Sequence, residues 1–381
     1  MTSAYPSAIL VRGSGIVANA AAALLKRALP AARVALLKDG PAPFEVGACG
    51  AVMEQFHRKV GIGDAMFVRE AGATRISATR FVDWPSGRDD ALVPEAGEER
   101  FRGGVALHQL WLRAERDGAD ALPALAPLLG TGVQDGGFRF EASRYLALLE
   151  RLAAHIGVET IDDAGEADLT VDCRPTTDRR DWEDWSSHLP ALTVQAGGEA
   201  VPAAADTVRR DDDDLFWSAG ARCYRLSPGG LTPGRRASAW QGDVVAAGPA
   251  AIAIPPLYGL PLTVALTDLL RLVQHLPPHR DAAATRDEYD RLTARFHAAV
   301  LDWAAAPFAL GGAGMTPPAG LAEMASRFAD RGRIPLREYD FVPRGAWIAA
   351  LVAMGLRPRK LDPTALVPDS NTAARLIAAA S

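Results

Sequence analysis

The feature that most constrains this chain lies in its first forty residues. Ala8-Ile9-Leu10-Val11 is a short continuous apolar run, the kind that forms a strand buried on both faces. Gly13-Ser14-Gly15-Ile16-Val17-Ala18 follows at once. An Ala- and Leu-rich stretch from Asn19 to Leu29 then stops before Pro30, and Arg33 to Leu37 forms a second apolar run. Strand, glycine turn, helix and strand together make a βαβ unit. In Gly13-x-Gly15-x-x-Ala18 the first glycine permits the tight turn. The second lets a pyrophosphate approach the backbone, Ala18 allows close helix–strand packing, and the helix N-terminus faces the phosphates. The rival reading is a glycine turn kept for packing alone.

The end of the second strand normally carries an acid that accepts hydrogen bonds from the adenosine ribose. Lys38 stands there, and a cation cannot accept those bonds, so the role falls to Asp39 beside it. Two further runs, Ala167 to Asp172 and Asp243 to Gly248, read as strands of the same sheet scattered through the sequence. Helical periodicity marks Glu141 to His155, Leu262 to His275 and Asp287 to Leu301. The fold class is therefore α/β, Rossmann-like, with a helical C-terminal part. Residues 1–280 are expected to form the dinucleotide-binding core with an inserted sheet, and 281–381 the helical part packed on it.

Residues 197–210 show a weak pattern and run into Asp211-Asp212-Asp213-Asp214, which reads as a solvated surface loop. Pro307 to Pro318 reads as a second loop. With 381 residues, 49% of them apolar and 23% charged, the chain can bury a sizeable core. A net charge of −5 gives no electrostatic case for nucleic acid or an anionic membrane. Cys49, Cys173 and Cys223 are dispersed and odd in number, which points to a reducing cytoplasm rather than a disulfide framework or a thiolate zinc site. No export signal or membrane span is expected.

Beyond the turn, segments along nearly the whole chain resemble the flavin-dependent tryptophan halogenase family. Phe44-Glu45-Val46-Gly47-Ala48 to Phe67 is similar to the family's G-V-G-E-A-T segment and the helix after it. Ala73-Thr74 to Phe81-x-x-Trp84 is similar to its A-T-F-K-L-G-x-x-F-x-x-W segment. Asp172-Cys173 and Asp184-Trp185-Ser186-Ser187-His188-Leu189-Pro190 match two more. The stretch from Gly248 to Leu262 resembles the flavin-contacting segment and keeps Gly248, Pro256 and Leu257. Glu288-Tyr289, Trp347, Met354-Gly355-x-x-Pro358 and Asp362-Pro363 fit the closing pattern. The resemblance implies an FAD-binding fold, with Gly13, Gly15, Ala18, Asp39, Gly47, Gly248, Pro256 and Leu257 as cofactor-binding positions. A separate flavin reductase would be the partner of an active member.

The departures fall on the positions that the resemblance makes functional. Ile76, flanked by Arg75, stands where the family has the lysine that captures hypohalous acid, and an aliphatic chain has no amine for that role. A guanidinium at Arg75 stays protonated and is a poor nucleophile. Ala48 replaces the assisting glutamate. Residues 221–226 stand where the family has W-x-W-x-I-P and hold neither Trp. Leu260 and Pro261 replace the halide-contacting T-S pair, Gly259 the S before it, and Ile252 and Ala253 a G-F pair. No catalytic residue is assigned.

Neither G-x-S-x-G nor H-E-x-x-H occurs. The seven histidines, His57, His108, His155, His188, His275, His279 and His297, read as surface or packed residues. Two functions follow. The first is a non-halogenating, degenerate member of the family, with FAD binding weakened or lost, acting as a partner subunit or a ligand-binding protein. The second is an FAD-dependent oxidoreductase, monooxygenase or halogenase-like, in which the flavin carries the chemistry in an altered site.

Overall fold

A computed structural model describes residues 5–84, 90–119, 122–129, 136–175, 180–201, 203–276, 283–337 and 341–380. His279 lies outside them. Along the chain come β1 (Ala8–Arg12), α1 (Gly15–Ala28), β2 (Arg33–Leu37), β3 (Ala48–Cys49), α2 (Val52–Val60), α3 (Asp64–Ala71), β4 (Thr74–Ile76), β5 (Ala78–Val82) and β6 (Asp90–Pro94). Then follow β7 (Phe101–Arg102), β8 (Val105–Ala106), α4 (Leu107–Arg116), α5 (Leu125–Leu128), β9 (Gly137–Arg139), α6 (Ala142–His155), β10 (Glu159–Ile161), β11 (Leu169–Asp172) and β12 (Trp182–Asp184). The strands β13 (Leu192–Glu199), β14 (Ala205–Asp211), β15 (Asp214–Ala219), β16 (Arg222–Pro228), β17 (Gly234–Arg236), β18 (Trp240–Gln241), β19 (Val244–Ala246) and β20 (Ile252–Ala253) come next. The chain ends with α7 (Leu260–Gln274), α8 (Ala283–Leu310), α9 (Ala319–Arg331), α10 (Arg344–Ala353) and α11 (Ser370–Ala378).

The elements group into two compact units, each built from three stretches of chain. The first comprises residues 1–74, 137–194 and 228–297, the second 75–136, 195–227 and 298–381. The first unit is organised on a sheet of order β10-β2-β1-β11-β19-β18. Its β1 pairs in parallel with both β2 and β11, and β11 with β19, so the four strands read from apolar runs are the centre of one sheet. Val11, Val34 and Val171 are wholly buried, as strands covered on both faces require. The Ala-rich composition of α1 lets it lie close to that sheet, with Ala18 and Ala20 to Ala23 fully buried.

Two groups pin the helices of this unit. Phe67 packs its ring against Phe138, Phe140 and Tyr145, with ring centroids 5.6, 5.3 and 5.1 Å apart. Tyr145 Oη lies 2.9 Å from His57 Nε2 and donates to Met53 Sδ at 3.3 Å, so α6 is tied to α2 inside the core. Between α7 and α8, His297 Nε2 sits 2.7 Å from Asp268 Oδ2 and both side chains are buried. These histidines are packed, as their dispersal in the sequence implies. His108 is buried too, in the second unit, 2.9 Å from the carbonyl oxygen of Gly332.

The second unit holds a sheet in which β16, β15, β14, β5 and β6 are successive neighbours. The Asp211–Asp214 run is at the surface as expected, as the tip of a hairpin: Asp211 pairs with Asp214 across β14 and β15, and Asp212 takes φ +53° at the turn. The weakly patterned stretch before it is strand at both ends, in β13 to Glu199 and in β14 from Ala205. Alternation carries β14 and β15, with Val208, Leu215 and Trp217 buried between exposed or half-buried residues. The expected loop from Pro307 begins only at residue 311. Pro307 sits inside the last turn of α8, where it removes the single bond its N–H would have made to the carbonyl four residues back, and the helix continues to Leu310.

Candidate functional site

The glycine turn leaves β1 at Gly13, whose φ of +120° is barred to residues with a Cβ, and whose N–H donates to Leu37 O at 2.9 Å. Gly15 follows at φ +84° and opens α1. Ser14 gives that helix end no side-chain cap. The cap comes from 29 residues away, because Glu45 Oε1 accepts the Ile16 N–H at 2.6 Å. A Cβ added at Gly15 would stand 2.0 Å from the same oxygen and 2.9 Å from Pro43 Cγ. The carboxylate thus occupies the space above the turn, where the helix dipole and free N–H groups favour an anion. Burial pushes the Glu45 carboxyl up to about 7, against the lowering effect of the Ile16 bond.

At the ribose end, Asp39 Oδ2 accepts from Arg12 Nε at 3.0 Å and from Arg174 Nη1 at 3.1 Å. Its Oδ1 is buried with no partner. Arg174 also holds Asp172, donating from Nε to Oδ1 at 2.9 Å and from Nη2 to Oδ2 at 2.8 Å. Burial works to raise the Asp172 carboxyl, but these Arg174 bonds hold it below its ordinary range. Lys38 turns away to Glu150, 2.6 Å from its Oε1.

Beside the turn, the first unit encloses a cavity of about 220 Å³. Val17, Phe44, Val46, Leu192, Ile252 and Ile254 give it apolar walls, and Ser14, Glu45 and Cys173 its polar atoms. Burial raises the Cys173 thiol, which keeps it protonated and unreactive. Ala48, Gly248 and Pro256 from the sequence reading are on this lining, with Gly259 and Pro261. Gly13, Gly15 and Ala18 belong to the turn, Asp39 to its ribose end. Leu257 is buried without being part of the lining. Gly47 is packed more tightly than a turn requires, since a Cβ there would fall 1.7 Å from Phe140 O.

Ile76 is 1% exposed and, with Arg75 and β16, belongs to the second unit. The chain's four lysines are elsewhere than the cavity. Lys26 donates to Pro30 O and Ala32 O at 3.1 and 2.9 Å, Lys38 is paired as described, and Lys59 and Lys360 are exposed. Among the described residues no group of three or more His, Cys, Asp or Glu side chains could hold a metal ion. No helix among them is long and apolar enough to cross a membrane.

Sequence reasoning placed Glu45 within a resembling segment but not over the turn, and it did not single out Arg174. Both reach the site only through the fold, so no local pattern announces them.

The family model described as tryptophan halogenase matches residues 8–171 and 225–369. None of the curated protein sequences matches the chain. Among solved structures, BrvH, a flavin-dependent halogenase from Brevundimonas sp. BAL3, superposes with a TM-score of 0.84 at 20% identity, over 99% of this chain and 96% of that one. Xcc4156, a flavin-dependent halogenase from Xanthomonas campestris, gives 0.86 at 18% identity, over 99% and 94%. The tryptophan 6-halogenase SttH from Streptomyces toxytricini gives 0.83 at 17% identity, over 98% and 96%.

Proposed function

Because the chain belongs to the tryptophan halogenase family, we propose that it is a member that no longer halogenates and serves instead as a ligand-binding protein or partner subunit. One observation carries this reading: Ile76 stands at the implied lysine position, and Ala48, on the lining of the cavity beside the glycine turn, at the implied glutamate position. Ile and Ala offer neither an amine to capture an oxidised halide nor an acid to assist its delivery. The aliphatic walls add to this, because a halide ion transferred into such a lining leaves water without gaining a donor.

FAD itself meets a divided site. Asp39 Oδ1, buried without a partner, suits a ribose hydroxyl. Glu45 over the turn does not suit a pyrophosphate, since its carboxylate takes the Ile16 N–H and the space beside Gly15. As arranged, the residues do not fit the dinucleotide, and its binding is weakened or lost. The orphan acceptor on Asp39 favours one second reading, an oxidoreductase that admits FAD after Glu45 moves aside.

The test supplies chemically reduced FAD, oxygen and chloride or bromide, with tryptophan or free indole as acceptor. The expected result is no halogenated product above the protein-free control. Product that scales with protein concentration overturns the proposal.

A further inference from the structure

We propose that Glu45 is a built-in occupant of the anion position at the N-terminus of α1, and that it excludes phosphate-bearing nucleotides from the glycine turn. This rests on the reading of weakened FAD binding above and names the residue responsible.

A dinucleotide turn works by leaving backbone N–H groups and the positive end of a helix open to a diphosphate, with glycine so that nothing projects into the gap. This chain keeps the glycines and fills the gap from outside. The Glu45 oxygen lies 2.6 Å from the Ile16 nitrogen and within 2.0 Å of the place a Cβ on Gly15 would take. Pro43 Cγ borders the same space, 2.9 Å from that place. A diphosphate entering there overlaps a carboxyl group that holds the N–H it needs, and where that group is ionised it faces like-charge repulsion as well. The obstruction is local. Gly13 and Gly15 retain their left-handed turn, and Asp39 retains a buried free acceptor at the ribose end. Removing the Glu45 side chain therefore frees the Ile16 N–H and the nearer of the two obstructions beside Gly15.

The experiment compares wild type, Glu45→Gly and Glu45→Gln by calorimetry with ADP, FAD and riboflavin. ADP probes the phosphate position together with the ribose end at Asp39, which the substitution leaves alone, and riboflavin carries the flavin ring without phosphate. The expected result is at least a tenfold gain in ADP and FAD affinity for Glu45→Gly, a smaller gain for the isosteric Glu45→Gln, and no change for riboflavin. A gain shared equally by riboflavin overturns the proposal, because it shows a side chain that merely fills volume. Unchanged ADP and FAD affinities in folded variants overturn it too. If Glu45→Gly fails to fold, Glu45→Gln carries the same criteria, its melting curve serving as the check. Micromolar FAD binding by the wild type refutes the reading on which the proposal rests, and is told apart from the other failures because it appears before any substitution.

Discussion

The half-buried Glu45 carboxyl makes the stability of the first unit depend on pH in a way that one substitution removes. Burial lifts it from an ordinary value of 4.5 to about 7. At 1.36 kcal/mol per unit, the shift corresponds to about 3 kcal/mol, an upper figure because solvent reaches part of the side chain. The sign follows from proton counting. Between those two values the folded protein holds a proton that the unfolded chain has lost, so the contribution is fully present below about 4.5 and is lost as pH rises through 7. Glu45→Gln carries no titrating proton and keeps the shape of the side chain. The stability difference between variant and wild type should therefore grow in favour of the variant from pH 5 to pH 8. In a unit of this size about 3 kcal/mol amounts to a melting shift of roughly 6–12 °C. Thermal unfolding of both proteins, followed by tryptophan fluorescence across that range, reads it directly. Two melting curves that move in parallel from pH 5 to pH 8 would refute the reasoning, because they would mean that Glu45 titrates in the folded state as it does in water.

Three further substitutions test other parts of the structure. Tyr145→Phe removes the hydroxyl between His57 and Met53 and should cost about 1–3 kcal/mol, read as a lower urea midpoint. Gly248→Ala places a methyl group 2.8 Å from Val17 Cγ1 on a backbone at φ +56°, and a loss of about 1–3 kcal/mol is expected in the same assay. Ile76→Lys returns an amine to the sequence position from which the resemblance says it is missing. At 1% exposure it should destabilise the fold by several kcal/mol and still yield no halogenated product, as chromatography of the assay mixture would record.

Much of the first unit was legible because its signals are local. Four apolar runs, each a few residues long and closed by turn residues, became the adjacent strands β2, β1, β11 and β19, and the Ala-rich interval became α1. The second unit was harder to read. Residues 205–219 alternate in burial, but the alternation is carried partly by Ala, Thr and Ser and is broken at its centre by the aspartate run, which resembles a loop until its two ends are seen paired. Pro307 misled in the same manner, since it reads as a stop while α8 runs on to Leu310. At the site, the turn and its glycines were visible, whereas the charge that fills the turn was not. Glu45 and Arg174 are 30 and 159 residues from Gly15, and only chain topology brings them beside it.

The cavity's outline and its lining are determined separately. Gly47 meets the backbone of Phe140, and Gly259 meets that of Ala48, where an added Cβ would be 2.5 Å from the carbonyl carbon. Main chain touching main chain fixes where these walls stand. The lining itself includes Ala48, Ile252 and Leu262, residues with small or aliphatic side chains. A lineage can therefore exchange its reactive groups for inert ones, or for groups of another chemistry, by point substitution while the enclosure holds its form. The same property makes this enclosure a practical starting point for installing new selectivity in the laboratory.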